Sequence, residues 1–252
     1  MAEEKSKKPS WHFPGAGRGT WSGFFVAWVF VAGVIGITVV LMLLGKGPMP
    51  LRVVGYDLGL ENADPAKVDF TKLASAIKQT NFMVLVIQGT SEKLTGELSR
   101  KLEVKKENVI SEGSAAILSK YPIERSEKTG IPVIRFGENG RFGIVSLDLR
   151  GQAENAQILE LSEARDRTRR TFGERPHAIM VLVEVAKAAM MRDYAEAPAK
   201  NQEESDWRIL IPERVGGALK ESYVPVDNKS IKNPSGRLPI VAHFVFHKAD
   251  FQ

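Results

Sequence analysis

Ala116-Ile117-Leu118-Ser119-Lys120-Tyr121-Pro122-Ile123 carries, in its first half, the end of an apolar run from Ala115 to Ser119 that reads as a short strand. Runs of the same character are Leu51 to Asp57, Phe82 to Gln88, Pro132 to Phe136, Phe142 to Leu149, Ala178 to Val185, Trp207 to Ile211 and Pro239 to Phe246, rich in Val, Ile and Phe. Helical spacing lies between them. Phe70, Leu73, Ala74 and Ile77 share one face after an Asp69 cap, and Leu94, Leu98 and Leu102 do so after Ser91. A third helix is expected from about Ala153 to Phe172, with Ile158, Leu159 and Leu161 as its apolar side. Glu138-Asn139-Gly140, between Phe136 and Phe142, is a hairpin signal, because Asn-Gly tolerates the positive φ of tight turns. Helices that alternate with strands early, followed by a hairpin, predict a mixed α/β domain rather than a purely parallel sheet or an all-β sandwich.

Composition narrows the classes of function. In 252 residues, 43% hydrophobic and 26% charged, there is enough apolar content for a folded domain. The formal net charge is +5, of which +3 falls in the first 50 residues, so the remainder carries no strong basic excess and no nucleic-acid partner is expected. The absence of cysteine excludes a disulfide framework, thiolate metal sites and thiol nucleophiles.

Residues 23 to 45 contain no charged side chain, and as a helix they would span about 34 Å at 1.5 Å per residue, enough to cross a bilayer. This apolar stretch is longer than the core of a cleaved leader, and Glu3 and Glu4 are foreign to a leader's basic start. The organisation expected is therefore a tail (1–22), a transmembrane helix (23–45), a spacer (46–50) and one folded domain (51–252). Lys5, Lys7, Lys8 and Arg18 precede the span while only Lys46 and Arg52 follow it closely, which places the N-terminus in the cytoplasm and exports the domain. Gly23, Ala27, Ala32 and Gly36 have the spacing of small residues that lets helices pack closely, and Trp28 lies deep enough to join them.

The order of the strand-end motifs resembles the endonuclease/exonuclease/phosphatase superfamily over nearly all of residues 51 to 246. Val54-Gly55-Tyr56-Asp57-Leu58 looks like that family's first strand ending in Tyr-Asn-Leu, and Val84 to Gly89 is similar to its Leu-Gln-Glu strand. Ala116 to Ile123 is close to the Ile-Leu-Ser-Arg-Tyr-Pro-Ile segment, and Ser235 to Val241 resembles the closing Ser-Asp-His-x-Pro-Val. The resemblance implies two packed mixed β-sheets flanked by helices, preceded here by the transmembrane helix.

It also implies a chemistry: carboxylates that hold Mg²⁺ or Mn²⁺, an Asp that orients or deprotonates water, and a His that stabilises the transition state. Position by position, this sequence departs from it. The first Asn is Asp57, the metal-binding Glu is Gly89, and the His of the Thr-His-Leu strand end is Asp148. The Gly-Asp-x-Asn motif falls at Glu184 and Ala186, a later Asp at Leu210, and the Asp-His of the last motif at Gly236 and Arg237. No polar position of the family's site keeps its side chain, while the strand cores remain, so no catalytic residue and no cofactor is expected. In the rival reading, Asp57, Asp148 and Glu184 form a remodelled divalent-cation site. His243 and His247 lie four apart without a nearby acid, and read as packing or surface residues.

Arg165, Arg167, Arg169, Arg170 and Arg175 form the densest basic stretch, interleaved with Glu163, Asp166 and Glu174. That pattern reads as a solvated, ion-paired face and as the best polar surface for docking a partner. The role expected is a membrane-anchored, non-catalytic interaction subunit whose partners are lipid and other membrane-protein subunits. The alternatives are a membrane-bound metal-dependent phosphodiesterase or phosphatase, and a module that binds a phosphorylated ligand.

Overall fold

The computed structural model describes residues 28–29, 31–34, 49–60, 62–136, 140–173, 178–183, 185, 193–225 and 238–247. The chain divides into two units, Met1–Gly47 and Pro48–Gln252. Of the first, the described residues 28–29 and 31–34 are helical and exposed, Trp28 and Ala32 among them. No helix among the described residues is long and apolar enough to cross a membrane. The anchor expected at 23–45, with Gly23, Ala27 and Gly36, lies largely outside the described residues.

The second unit holds two six-stranded mixed sheets. The first has the order β11-β12-β1-β2-β4-β3, from β1 (Met49–Asp57), β2 (Val84–Gln88), β3 (Val109–Glu112), β4 (Ala115–Ser119), β11 (Leu219–Tyr223) and β12 (Ile240–Phe246). The second has the order β5-β6-β7-β8-β10-β9, from β5 (Ile123–Arg125), β6 (Pro132–Phe136), β7 (Gly140–Asp148), β8 (Ala178–Val183), β9 (Tyr194–Glu196) and β10 (Trp207–Pro212). Each sheet contains one parallel pair, β1 with β2 and β7 with β8, and a helix makes the crossover in each case. These helices are α1 (Phe70–Gln79) and α3 (Glu154–Phe172), and α2 (Glu92–Lys101) joins β2 to the antiparallel β3–β4 pair.

Strand alternation builds a three-layered core. Leu51, Val53, Val84 and Val86 of the first sheet meet Phe142, Ile144, Ile179, Val181, Trp207 and Ile209 of the second. The alternate residues Val54, Tyr56, Leu85 and Ile87 face outward under α1 and α2, and Val145, Leu147, Met180 and Leu182 face outward under α3. Trp207 reaches the first sheet because Gly55 has no side chain: a Cβ there would lie 2.7 Å from the indole.

Local rules account for the helices. The Asp69 carboxylate accepts from Lys72 N–H at 2.9 Å and starts α1, whose Leu73, Ala74 and Ile77 are buried as their spacing predicts. Ser91 caps α2 in the same way, and Leu94 and Leu98 are buried. α3 corrects the expectation. It rests on Gln157, Leu161, Ala164 and Thr168, while Ile158 and Leu159 are 43% and 62% exposed. Leu159 stands two residues from Leu161, about 160° around the helix, so both cannot face the sheet. β1 starts at Met49 and takes in the last two residues expected as spacer. β6 and β7 pair antiparallel with Phe136 opposite Gly140, as the Asn-Gly signal predicts.

Candidate functional site

The inner faces of the strands turn polar at one end of the sheets. On β1 the inward series Leu51, Val53, Gly55 ends at Asp57, on β2 Val84 and Val86 end at Gln88, and on β7 Ile144 is followed by Ser146 and Asp148. Asp57 is in register with Gln88, and the Gln88 amide donates across to the Ser146 hydroxyl at 2.7 Å. Asp57 and Asp148, which the sequence placed at strand ends, thus come from different sheets to one locus.

Arg150 joins them. Its Nη1 donates to Asp57 Oδ2 at 3.0 Å, its Nε donates to Asp148 Oδ1 and Oδ2 at 2.7 and 2.9 Å, and its Nη2 also bonds Asp148 Oδ2. The Arg150 and Asp148 side chains are about one-quarter exposed, whereas that of Asp57 is 1% exposed. A buried carboxylate needs a charge partner and hydrogen bonds, and Asp57 has both, because its Oδ1 accepts the Gly59 N–H at 3.0 Å. The return of the arginine is built locally: Asp148 Oδ1 accepts the Arg150 N–H at 3.2 Å, and Gly151 takes φ +67°.

Gly89 completes the wall of the site. Its φ is +67°, and a Cβ there would lie 2.4 Å from Gly59 N and 2.8 Å from Asp57 Oδ1. Leu60 N–H donates to the Gly89 carbonyl at 2.7 Å, so the loop after β1 closes over the place a side chain would leave by. No carboxylate fits at position 89 without displacing that loop. Among the described residues the arrangement does not fit a divalent cation; Glu184, the third acid of the rival reading, lies outside them. Its two carboxylates grip a guanidinium, backbone occupies the space that a side chain at position 89 would need, and no group of three or more His, Asp or Glu among the described residues is placed to hold a metal.

The other expected site positions separate. Leu210 is not at this locus: it pairs with Met180, while Asp148 is in register with Val183 and Val183 with Trp207, and Leu210 is buried in the outer layer under α3. Glu184, Ala186, Gly236 and Arg237 lie outside the described residues, as does Arg175. In the arginine stretch, Arg165 Nε stands 3.6 Å from Asp166 and Arg169 donates to Asp193 at 2.6 Å, with Arg170 exposed. Arg167 turns instead into a cavity between the sheets. His243 Nδ1 stands 3.7 Å from Glu221 on the neighbouring strand. Sequence reasoning missed Arg150, whose one signal is its place two residues after a strand-end Asp.

No family model and no curated protein matches the sequence. Solved structures match the shape. An endonuclease/exonuclease/phosphatase family protein of Bacteroides thetaiotaomicron superposes with a TM-score of 0.56 at 14% identity, over 79% of this chain and 98% of its own. The mannosyl-6-phosphatase of the same organism gives 0.56 at 13% identity, over 78% and 100%. An endonuclease/exonuclease/phosphatase of Bacteroides vulgatus gives 0.55 at 11% identity, over 79% and 99%.

Proposed function

The domain has the endonuclease/exonuclease/phosphatase fold, and from that premise we propose that the chain is a membrane-anchored, non-catalytic subunit that works by contact with partners in a membrane assembly. The observation that carries this reading is the guanidinium of Arg150 held between Asp57 and Asp148, where hydrolysis in such a site would need a metal. A permanent internal cation neutralises the acids but has no open coordination position for water or phosphate, and Gly89 supplies no carboxylate to compete for a metal.

The uncharged segment 23–45 and the cations before it support an anchor with a cytoplasmic N-terminus. A tethered domain meets partners in the same bilayer at high effective concentration, so modest surface contacts suffice. Arg165, Arg169 and Arg170 of α3 are the polar surface offered to such partners, and Gly23, Ala27, Trp28, Ala32 and Gly36 are the residues offered for helix packing.

One observation favours a second reading, a metal-dependent phosphodiesterase or phosphatase: two carboxylates do converge at the end of the sheets, as that chemistry requires. Native extraction separates the two. In mild detergent the full-length protein should migrate in a larger complex and cross-link to other subunits, and protease added outside spheroplasts should reach the domain. A lone monomer, with every membrane complex intact after deletion of the gene, would overturn the subunit reading.

A further inference from the structure

Along β7 from Asp148, a cavity of about 270 Å³ opens between the two sheets, walled by β3, β4, β7, the turn that leads into β6, and Arg167 of α3. We propose that this cavity binds a small organic oxyanion, a carboxylate or phosphate head on a compact apolar body.

Three donors converge there. Arg167 is half-buried, lines the cavity, and makes no ion pair among the described residues, unlike its neighbours Arg165 and Arg169. Arg125 lines the opposite side and shares its guanidinium between Glu112 at 3.3 Å and the carbonyls of Gly130 and Ser111. The third donor is backbone. On β7 the odd-numbered residues bond to β8, as Leu149 N–H does to the Val183 carbonyl at 3.1 Å, so the N–H and C=O of Ser146 point the other way. β6 pairs with β7 from Gly140 to Gly143 and begins at Pro132, which has no N–H to extend the ladder. Ser146 N–H therefore points to the side of β7 where the β6 ladder has ended, and its hydroxyl, which accepts from Gln88, keeps its own proton to donate.

The lining dictates the ligand class. Two arginines against one glutamate make the rim positive, and a guanidinium fork with a backbone N–H and a hydroxyl is a donor set for planar or tetrahedral oxyanions. The opposite wall is Ile110, Ala116, Ile117, Ile131 and Ile144, which favours an apolar body over a second charge. This site does not use the Asp57–Arg150–Asp148 cluster, so it stands whether or not that cluster has any chemistry.

The test titrates phenyl phosphate, benzoate and neutral phenol into the full-length protein in mild detergent by isothermal calorimetry. At least one anion should bind while phenol does not, the stronger of the two identifying the head group, and inorganic phosphate should compete. Arg167→Met should weaken binding at least tenfold with an unchanged melting curve, Arg167→Lys should fall between, and Arg135→Met, which alters an exposed arginine paired with Glu124, should bind as the native chain does. Absence of binding by both anions, equal binding of phenol, or full binding by Arg167→Met would overturn the proposal.

Discussion

Removing the guanidinium at position 150 is the perturbation whose cost follows most directly from the site. Arg150→Ala deletes every contact from Arg150 to Asp57 and Asp148, and leaves the Asp57 carboxylate, 1% exposed, with its Gly59 hydrogen bond in a site shaped around a cation. Breaking a buried pair by removing one partner costs about 3–5 kcal/mol, and the one-quarter exposure of Arg150 and Asp148 sets the expectation at the lower end, about 3 kcal/mol. For a domain of roughly 200 residues this corresponds to a fall in melting temperature of about 6–12 °C. Urea unfolding at pH 7.5, followed by tryptophan fluorescence and circular dichroism, gives the number, because Trp207 is buried between the sheets. The double variant Arg150→Ala/Asp57→Asn, which removes the stranded charge as well, should recover part of the loss. A loss under about 1 kcal/mol for Arg150→Ala would show that the arginine is a surface ion pair of the ordinary kind.

Introducing a carboxylate by Gly89→Glu should destabilise the domain by at least about 2 kcal/mol, since the residue must hold a positive φ and push against Gly59 backbone; a variant as stable as the native chain would refute the closure of that wall. Leu161→Ala should cost about 2–5 kcal/mol, while Leu159→Ala, on the exposed side of α3, should stay within about 0.5 kcal/mol, and equal costs would mean that α3 packs by another face. Burial raises the Tyr56 hydroxyl well above its ordinary value, so the neutral form is favoured in the fold. Its contribution is complete below about pH 10 and is lost as pH rises beyond it, because only the unfolded chain ionises there, at up to about 1.4 kcal/mol per pH unit. Stability of the native chain should therefore fall more steeply than that of Tyr56→Phe between pH 10 and 12, and parallel curves would refute the assignment.

The strands visible in the sequence are the interior ones, and the four it hid are the four sheet edges. β3, β5, β9 and β11 close the two sheets, and each is three to five residues long with one neighbour and incomplete burial. An edge strand such as Leu219–Tyr223 (LKESY) needs no continuous apolar run, so it leaves no periodic signal. Helix starts were legible because Asp69 and Ser91 act locally. The buried face of α3 was not, since Gln157 and Thr168 hold the buried positions while two aliphatic residues face out. At the site, Asp57 and Asp148 were legible as strand-end acids in unexpected places. Their partner was not, because an arginine two residues past a strand has the sequence of a solvated turn, and only its fold back across two sheets makes it the cation of the pair.

Arg150 occupies the space between Asp57 and Asp148, and the proposed function holds that the site performs no metal-dependent hydrolysis. It is tested most directly by titrating Mn²⁺ into the full-length protein in mild detergent under paramagnetic detection, with bis(p-nitrophenyl) phosphate and p-nitrophenyl phosphate present to report turnover. The account predicts no stoichiometric Mn²⁺ uptake at millimolar concentration and no hydrolysis above a protein-free control. Stoichiometric Mn²⁺ binding with turnover that Asp57→Ala abolishes would contradict it.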